Sequence, residues 1–332
     1  MLDHGKVTDP IYKRSVRKVI KKYIAAREGN TEVARDVHCF CTDTGERRMT
    51  ASASLTGDRL AAAGAVHLAV NRLAAAGSCA QSVTVQFIVP EGLPEPSLKI
   101  LVTEAVKSCE QLQIASVQAD VTAVSGLQES VITVTAIGDA ASLFESEKAC
   151  ADQDLIMAGY AGGYGAARLT FAYREELEKH FNPVFLSSIL EAEYTGEALS
   201  AVPAITAAAQ AGVRSMYACG EGGIYTAVWE LAETAGLGAR IQLKAVPLQQ
   251  ETVEVCDYFN ITPYQLIATG AVLMTATHGQ KVLDRLAAAG IPAVIIGHLT
   301  DDNDRVVVNE DEVRFLEPFR QDSLNQTIDS RG

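Results

Sequence analysis

The chain of 332 residues is short of positive charge, with 28 Lys and Arg against 41 Asp and Glu and a formal net charge of −13. Nucleic-acid surfaces need clustered cations, so this balance argues against nucleic acid as a partner. No apolar run is long enough to cross a bilayer, so no membrane segment is expected. The N-terminus is polar and then basic, without an apolar leader, and we expect a cytoplasmic location.

Paired cysteine spacings are also missing. The seven cysteines are scattered and odd in number, which fits neither a zinc ribbon nor a disulfide framework. We therefore expect free thiols in a reducing compartment. The histidines are likewise not spaced as metal ligands. His67 and Asn71 lie one turn apart on a predicted helix, which is more typical of a core histidine than of a catalytic one.

The one basic concentration lies in residues 6–27, which hold eight Lys and Arg and a single acid, Asp9. Asp9 and Pro10 are typical of a helix start, and the apolar spacing that follows predicts a helix over 10–26. Its basic residues form either a solvated face or a basic lip beside a phosphate-bearing ligand.

Hydrophobic residues make up 48% of the chain, which is enough for a full core, and their periodicity predicts an α+β protein. The first half is predicted to be β-β-α-β-α-β-β with a mixed or largely antiparallel sheet, and its last two strands are expected to pair with each other. A polar stretch over 139–154 separates it from a second α+β half. The predicted elements are strands in 36–55 around a turn at 42–46, helix 58–76, strand 83–89, helix 98–112, strands 114–124 and 131–137, strand 155–158, a helix from 166, helices within 174–211, helix 224–233, strand 241–243, helix 248–259, strand 271–276, helix 279–289, strand 294–299 and a hairpin of 306–309 with 313–316.

Two glycine turns precede predicted helices. The stretch 216–224 contains Gly220, Gly222 and Gly223 around Glu221, and such a turn presents unpaired N–H groups at a helix N-terminus, where anions and phosphates bind. The alternative is a tight turn required only for close packing. Gly162, Gly163 and Gly165 follow strand 155–158 in the same layout. No Gly-Lys-Ser/Thr ends that loop, so it is not a P-loop.

Longer motifs resemble a known family. The most specific are Pro247-Leu248-Gln249-Gln250-Glu251-Thr252 and Asn260-Ile261-Thr262-Pro263-Tyr264-Gln265-Leu266. Together with Glu221-Gly222-Gly223, the strand at 131–138 and an opening at 4–7, they resemble the aminoimidazole-ribonucleotide (AIR) synthetase, or PurM-like, superfamily. Within it the similarity is to the hydrogenase maturation factors that dehydrate a carbamoyl group. The resemblance covers nearly the whole chain.

The resemblance implies an architecture and an activity. An N-terminal domain, 1–145, would form a β-barrel across a homodimer. A C-terminal α+β domain, 150–320, would follow, with a tail at 321–332. Members bind ATP and Mg²⁺ and activate a carbonyl or amide oxygen by phosphoryl transfer.

The resemblance also implies site residues. Gly162, Gly163, Gly165, Glu221, Gly222, Gly223, Asn71 and Arg72 would hold the nucleotide phosphates. Asp36 and Asp120 would hold Mg²⁺, a hard cation that takes carboxylate oxygens. Other acids of the family pattern are missing: Arg72, Thr122 and Ala218 stand in acidic positions. A cation at Arg72 either holds phosphate itself or marks a dead site.

Two hypotheses follow. The chain is an ATP-dependent enzyme that acts on a small carbonyl or amide compound, or it is a degenerate dimeric nucleotide-binding or scaffold protein with a protein partner. The maturation factors it resembles end in a cysteine that carries the carbamoyl group, whereas no cysteine follows Cys256 here. That particular reaction is therefore expected to be excluded.

Overall fold

The computed structural model describes residues 7–20, 31–34, 36–193, 196–317 and 320–331. Contacts divide the chain into two compact units. We call Gly29–Glu145 the N-terminal unit, and Met1–Glu28 with Ser146–Gly332 the C-terminal unit. The predicted domain limits stay a prediction.

The helix predicted over 10–26 is helical wherever it is described. Its first turn is α1, Asp9–Tyr12, and a π-helical turn follows at Lys13–Arg17. Its second part, 21–26, lies outside the described residues, as does the family-like opening at 4–6.

The N-terminal unit is one mixed sheet with two helices. The strands stand in the order β1-β2-β3-β6-β4-β5, and all neighbours are antiparallel except β4 and β5. The predicted mixed α+β character is confirmed. The elements are β1 Thr31–Ala34, β2 Val37–Cys41, β3 Arg47–Thr56, α2 Arg59–Ala75, β4 Ala80–Pro90, α3 Glu95–Gln111, β5 Ser116–Val124 and β6 Val131–Asp139.

Helix α2 forms the centre of this unit. The Asp58 carboxylate caps it by accepting hydrogen bonds from the N–H groups of Leu60 (2.8 Å) and Ala61 (3.4 Å). Every residue of α2 after Arg59 is buried, because its many alanines let β3, β6 and α3 approach closely. Along β3, buried residues alternate with more exposed ones, because successive side chains of a strand point to opposite faces of the sheet.

The predicted pairing of the last two strands of this unit is wrong. Strand β6 lies between β3 and β4, and β5 pairs in parallel with β4. The reason is that β4, α3 and β5 form a crossover unit, which requires parallel strands. The sheet therefore ends at β5, all of whose residues are exposed.

The C-terminal unit contains a seven-stranded sheet in the order β13-β12-β9-β11-β7-β10-β8, in which only β12 and β9 are parallel. Its elements follow most of the predicted pattern. They are β7 Asp154–Ala158, α4 Gly163–Ala172, α5 Arg174–Leu177, α6 Pro183–Glu193, α7 Gly196–Leu199, α8 Val202–Gln210, β8 Ser215–Ala218, α9 Gly223–Ala235, β9 Gly238–Gln242, α10 Gln250–Phe259, β10 Val272–Ala276, α11 Gly279–Ala288, β11 Ala293–Thr300, β12 Arg305–Asn309, β13 Glu312–Phe315 and α12 Ser323–Arg331.

Two elements of this unit were not predicted. Strand β8 precedes the second glycine turn, so both turns connect a strand to a helix. Helix α12 occupies the segment that the sequence suggested was only a tail.

Candidate functional site

Both glycine turns pack against one segment of the C-terminal unit, Pro263–Ile267. Gly162 and Gly222 are the N-caps of α4 and α9, with φ of 71° and 74° in the left-handed region. A Cβ atom at Gly165 would lie 2.3 Å from the Cγ of Leu266, and one at Gly223 would lie 2.5 Å from the carbonyl oxygen of Tyr264. These glycines are therefore required for close packing, whatever else they do.

Two of the turn N–H groups bind within the protein. The Gly165 N–H donates to the Ile267 carbonyl oxygen at 3.1 Å, and the Gly223 N–H donates to the Gly220 carbonyl oxygen at 3.1 Å. The first bond joins the Gly162 turn to the 263–267 segment, and the second closes the 220–223 turn on itself.

A third turn N–H group, that of Gly222, donates to a side chain 100 residues further along the chain. Its acceptor is Oδ2 of Asp322, at 2.5 Å. The other carboxylate oxygen of Asp322 accepts from the N–H groups of Leu324 (2.8 Å) and Ile267 (3.3 Å). Asp322 is 2% exposed. One buried carboxylate thus joins the glycine turn, the 263–267 segment and the start of α12.

The environment of Asp322 makes its carboxyl group a weaker acid than that of an ordinary aspartate. Burial raises the pKa of its carboxyl to about 7, and the nearby Glu221 carboxylate adds to the rise. The three N–H groups oppose the rise because they stabilise the charged form. Glu221 itself is half-buried beside the turn.

Sequence reasoning missed Asp322, although a signal was present. Aspartate before a short helical pattern is typical of an N-cap, and Asp322 immediately precedes α12. What the pattern could not indicate is that the same carboxylate reaches Gly222.

In the N-terminal unit, Arg72 and Asp36 meet. Nη2 of Arg72 lies 3.4 Å from Oδ2 of Asp36, and its Nη1 donates to the Ser52 carbonyl oxygen at 2.6 Å. The Arg72 side chain is 9% exposed and that of Asp36 is 25% exposed. The Arg72 guanidinium, which stands in an acidic position of the family pattern, is therefore directed at Asp36, one of the two predicted metal-binding acids. Asn71, the neighbour of Arg72, is fully buried in α2.

Asp120 is not brought to this pair. It lies on β5, exposed, and accepts a long hydrogen bond of 3.4 Å from the Gln86 side chain. Strands β3, β6 and β4 separate it from the start of β2, which is four strand spacings, on the order of 19 Å in a flat sheet. Among the described residues, no group of three or more His, Cys, Asp and Glu could hold a metal ion.

A cavity of about 200 Å³ lies beside the first turn of α9. Tyr225, Gln265, Arg314 and Phe315 are among its lining residues. The ring of Tyr225 stacks on that of Tyr264, with centroids 5.5 Å apart and planes at 12°. The cavity thus offers both aromatic and polar groups to a small molecule.

Comparison with known proteins agrees with the resemblance. Residues 160–309 match the family described as AIR synthase related protein, C-terminal domain. Carbamoyl dehydratase HypE of Rhizobium leguminosarum bv. viciae is 28% identical over 248 residues, which are 72% of this chain and 68% of that protein.

Solved structures share the fold. A hydrogenase maturation protein HypE in complex with ATP has a TM-score of 0.69 at 16% identity, over 98% of both chains. The HypE–HypF complex has a TM-score of 0.67 at 18% identity, over 91% of this chain and 99% of that one. The predicted resemblance to the AIR synthetase superfamily and its hydrogenase maturation proteins is confirmed. No helix in the described ranges is both long and apolar enough to cross a membrane.

Proposed function

We propose that this AIR synthase-related chain, a homologue of the HypE hydrogenase maturation proteins, is a nucleotide-binding protein that uses ATP to activate a small carbonyl or amide compound. The observation that carries the proposal is homology to carbamoyl dehydratase HypE over about two thirds of both chains. The fold shared with a HypE that was solved with ATP supports a nucleotide ligand.

The proposed phosphate ligands are the two turns, through Gly162, Gly163, Gly165, Glu221, Gly222 and Gly223, with Asn71 and Arg72. Strand, glycine turn and helix is a layout that favours bound phosphate. The N–H groups of Gly165, Gly222 and Gly223 already have partners inside the protein, so phosphate at these turns has to compete with them.

The carboxylates do not fit a Mg²⁺ cage within one chain. Asp36 is paired with Arg72, and Asp120 lies four strands away. A divalent cation prefers several oxygen ligands together, and a cation beside one of them opposes its binding. We therefore propose that the nucleotide binds without a protein-held metal ion.

A small-molecule substrate has a candidate place of its own. The cavity beside Tyr225 lies in the same unit as the glycine turns. Its lining includes the Tyr225 ring, Gln265 and Arg314, whose guanidinium pairs with the Glu312 carboxylate. We propose a small carbonyl or amide compound as the ligand of this cavity. A carbonyl or amide group needs polar side chains that form hydrogen bonds with it, and the rest of the compound needs apolar side chains to pack against.

A homodimer is proposed through the edge of the N-terminal sheet. Strand β5 is nine residues long, pairs on one side with β4, and leaves Val117, Val121 and Val124 each 40% exposed. A long, apolar, unpaired edge is a template for another strand. Pairing with a second copy would cover it.

The second candidate function is a non-catalytic scaffold. The Asp36–Arg72 pair favours it, because it neutralises an acid that the family chemistry uses. A HypE relative was solved with HypF, which supports a protein partner under either function.

ATP hydrolysis separates the two functions. Under the enzyme proposal, the purified chain hydrolyses ATP with a suitable carbonyl compound, and Arg72→Gln, which removes a proposed phosphate ligand, lowers the rate by roughly 100-fold. Lys281→Gln, which removes an equal charge from an exposed position of α11, leaves the rate unchanged. ATP binding without hydrolysis would instead support the scaffold.

A further inference from the structure

The cavity beside the first turn of α9 has room for one ring and not for a nucleotide. Its volume is about 200 Å³. An apolar cavity of about 150 Å³ takes one benzene molecule, and pockets for drug-sized ligands start at about 300 Å³. A ligand of this cavity is therefore a single ring with one or two small substituents, and a nucleoside triphosphate has to bind elsewhere.

Two aromatic side chains give the cavity walls that suit a flat ligand. The Tyr225 ring is stacked on the Tyr264 ring, with centroids 5.5 Å apart and planes at 12°, so its orientation is fixed before a ligand binds. Phe315, on β13, is 69% exposed although it lines the cavity. Covering an exposed Phe ring is favourable, and a planar ring covers it with a large contact area. The aromatic walls therefore favour a planar ring over a puckered one.

The charged groups at the cavity are already paired. The Arg314 guanidinium donates to both Glu312 carboxylate oxygens, from Nε at 2.8 Å and from Nη2 at 3.0 Å. Nη2 of Arg320 lies 3.1 Å from Oε2 of Glu317. An anionic ligand would have to compete with Glu312 for Arg314, and a cationic ligand would have to compete with the arginines for the carboxylates. The cavity therefore suits a neutral ligand.

The remaining polar groups of the cavity are neutral. Gln265 and Asn309 line it, and both residues are exposed. Each of their side-chain amides has a carbonyl oxygen that accepts and an NH₂ group that donates hydrogen bonds. Burial raises the pKa of Tyr225 to about 12, so its phenol is neutral as well. A ligand carboxamide matches these amides, because it also carries a donor beside an acceptor, whereas a ketone or an ester only accepts.

We propose that the cavity binds one neutral planar ring that carries a carboxamide group, an aryl or heteroaryl amide. The rings of Tyr225 and Phe315 pack against the ligand ring. The side chains of Gln265 and Asn309 form hydrogen bonds with its carboxamide. The inference rests on the proposed function and deepens it, because it names the class of amide compound that is activated.

The test is a saturation-transfer NMR titration of the wild-type chain with four small probes, in the absence of ATP. Benzamide has both the ring and the amide, and benzoate replaces the amide with a charge. Cyclohexanecarboxamide replaces the planar ring with a puckered one, and acetamide has no ring. Benzamide should bind with the lowest Kd. The Kd should be roughly fivefold higher for cyclohexanecarboxamide, which loses the aromatic contact, and at least about tenfold higher for benzoate and acetamide.

Variants at exposed residues locate the binding without disturbing the core. Phe315→Ser should raise the Kd for benzamide by roughly fivefold, because the aromatic contact is lost. Val313→Ser is its control, since Val313 lies on the same strand, is 50% exposed and does not line the cavity. Asn309→Ala should also raise the Kd by roughly fivefold through the lost hydrogen bond. Asn303→Ala, in the exposed turn before β12, should leave it unchanged.

The proposal is overturned if benzamide does not bind, if benzoate or cyclohexanecarboxamide binds as tightly as benzamide, or if Val313→Ser weakens binding as much as Phe315→Ser does. Because the titrations contain no ATP, this site and the proposed function are tested separately. A chain that binds benzamide but does not hydrolyse ATP contradicts the proposed enzyme function and supports this site. A chain that hydrolyses ATP without binding benzamide contradicts this site alone.

Discussion

A buried carboxyl group makes the stability of the folded chain depend on pH. The direction of the change depends on whether the pKa of the group is higher or lower in the folded chain than in the unfolded chain. Asp322 has a pKa of about 7 in the folded chain, against 3.8 for an ordinary aspartate. Between these values the folded state holds a proton that the unfolded state has released. The contribution of Asp322 to stability therefore decreases as the pH rises from 4 to 7, and levels off above 7.

Asp322→Asn removes this dependence. Relative to the wild type, the variant should gain about 2–3 kcal/mol in unfolding free energy between pH 5 and pH 8, because the wild type alone loses the benefit of the folded-state proton. Denaturant unfolding at both pH values measures the difference, in which all other titrating groups cancel. A difference that does not change with pH would mean that the carboxyl is not held protonated in the folded chain.

Residue identities alone indicated that Arg72 is unusual, and the structure gives it a partner. The sequence left open whether Arg72 holds phosphate or marks a dead site. Its guanidinium is directed at Asp36 and at the Ser52 carbonyl oxygen, both in the N-terminal unit. Sequence could not predict this, because Ser52 lies on β3 and Asp36 precedes β2, and their meeting with α2 depends on how the sheet packs.

At the scale of elements, the two glycine turns were predicted as phosphate loops or as packing turns. The structure supplies the packing reason through Pro263–Ile267, a segment whose position no local pattern could give. The phosphate role stays a proposal, since the Gly222 N–H group donates to the chain's own Asp322.

Gly223→Ala tests the packing reason. At a φ of +59°, the added Cβ would meet the carbonyl oxygens of Tyr264 and Leu266 at 2.5 and 2.6 Å. We expect a loss of more than about 3 kcal/mol in unfolding free energy, since backbone atoms on both sides have to move.

Gly290→Ala is the control for Gly223→Ala. Gly290 has a comparable φ of +73° but no atom within 4 Å of an added Cβ, so only the cost of the left-handed conformation applies, about 1 kcal/mol. Thermal or denaturant unfolding measures both variants. Equal losses would show that the turn is not tightly packed against the 263–267 segment.

Periodicity predicted most helices and strands but not their arrangement. All the predicted elements of the first half are present, but strand β1 was not predicted, and β6 was paired with the wrong neighbour because strand order depends on contacts distant in sequence. The βαβ connection through α3 would have corrected it, since the helix between β4 and β5 implies a parallel pair. The C-terminal helix was missed because α12 is short and largely polar.

For the whole molecule, the proposed homodimer rests on the exposed edge strand β5. Copies of the chain repel one another because each carries a net charge of −13. A dimer therefore requires a specific, complementary interface. The apolar edge is such a surface.

Val121→Lys should shift the chain from dimer to monomer in sedimentation, because a charge buried at a strand interface is costly. Val184→Lys is the control: it makes the same change at a residue of α6 that is 75% exposed, and should leave the dimer intact. A wild-type chain that is a stable monomer at high concentration would rule out the proposed dimer.

The central claim is that the chain binds a nucleotide without a protein-held metal ion. Calorimetric titration of the purified chain with ATP, with Mg²⁺ present and again with Mg²⁺ chelated, tests it most directly. We expect binding in both conditions, with a Kd that differs by less than about threefold, since Asp36 is paired with Arg72 and no carboxylate cluster is formed in the described residues. Binding that disappears with the chelator, or no binding in either condition, would contradict the claim.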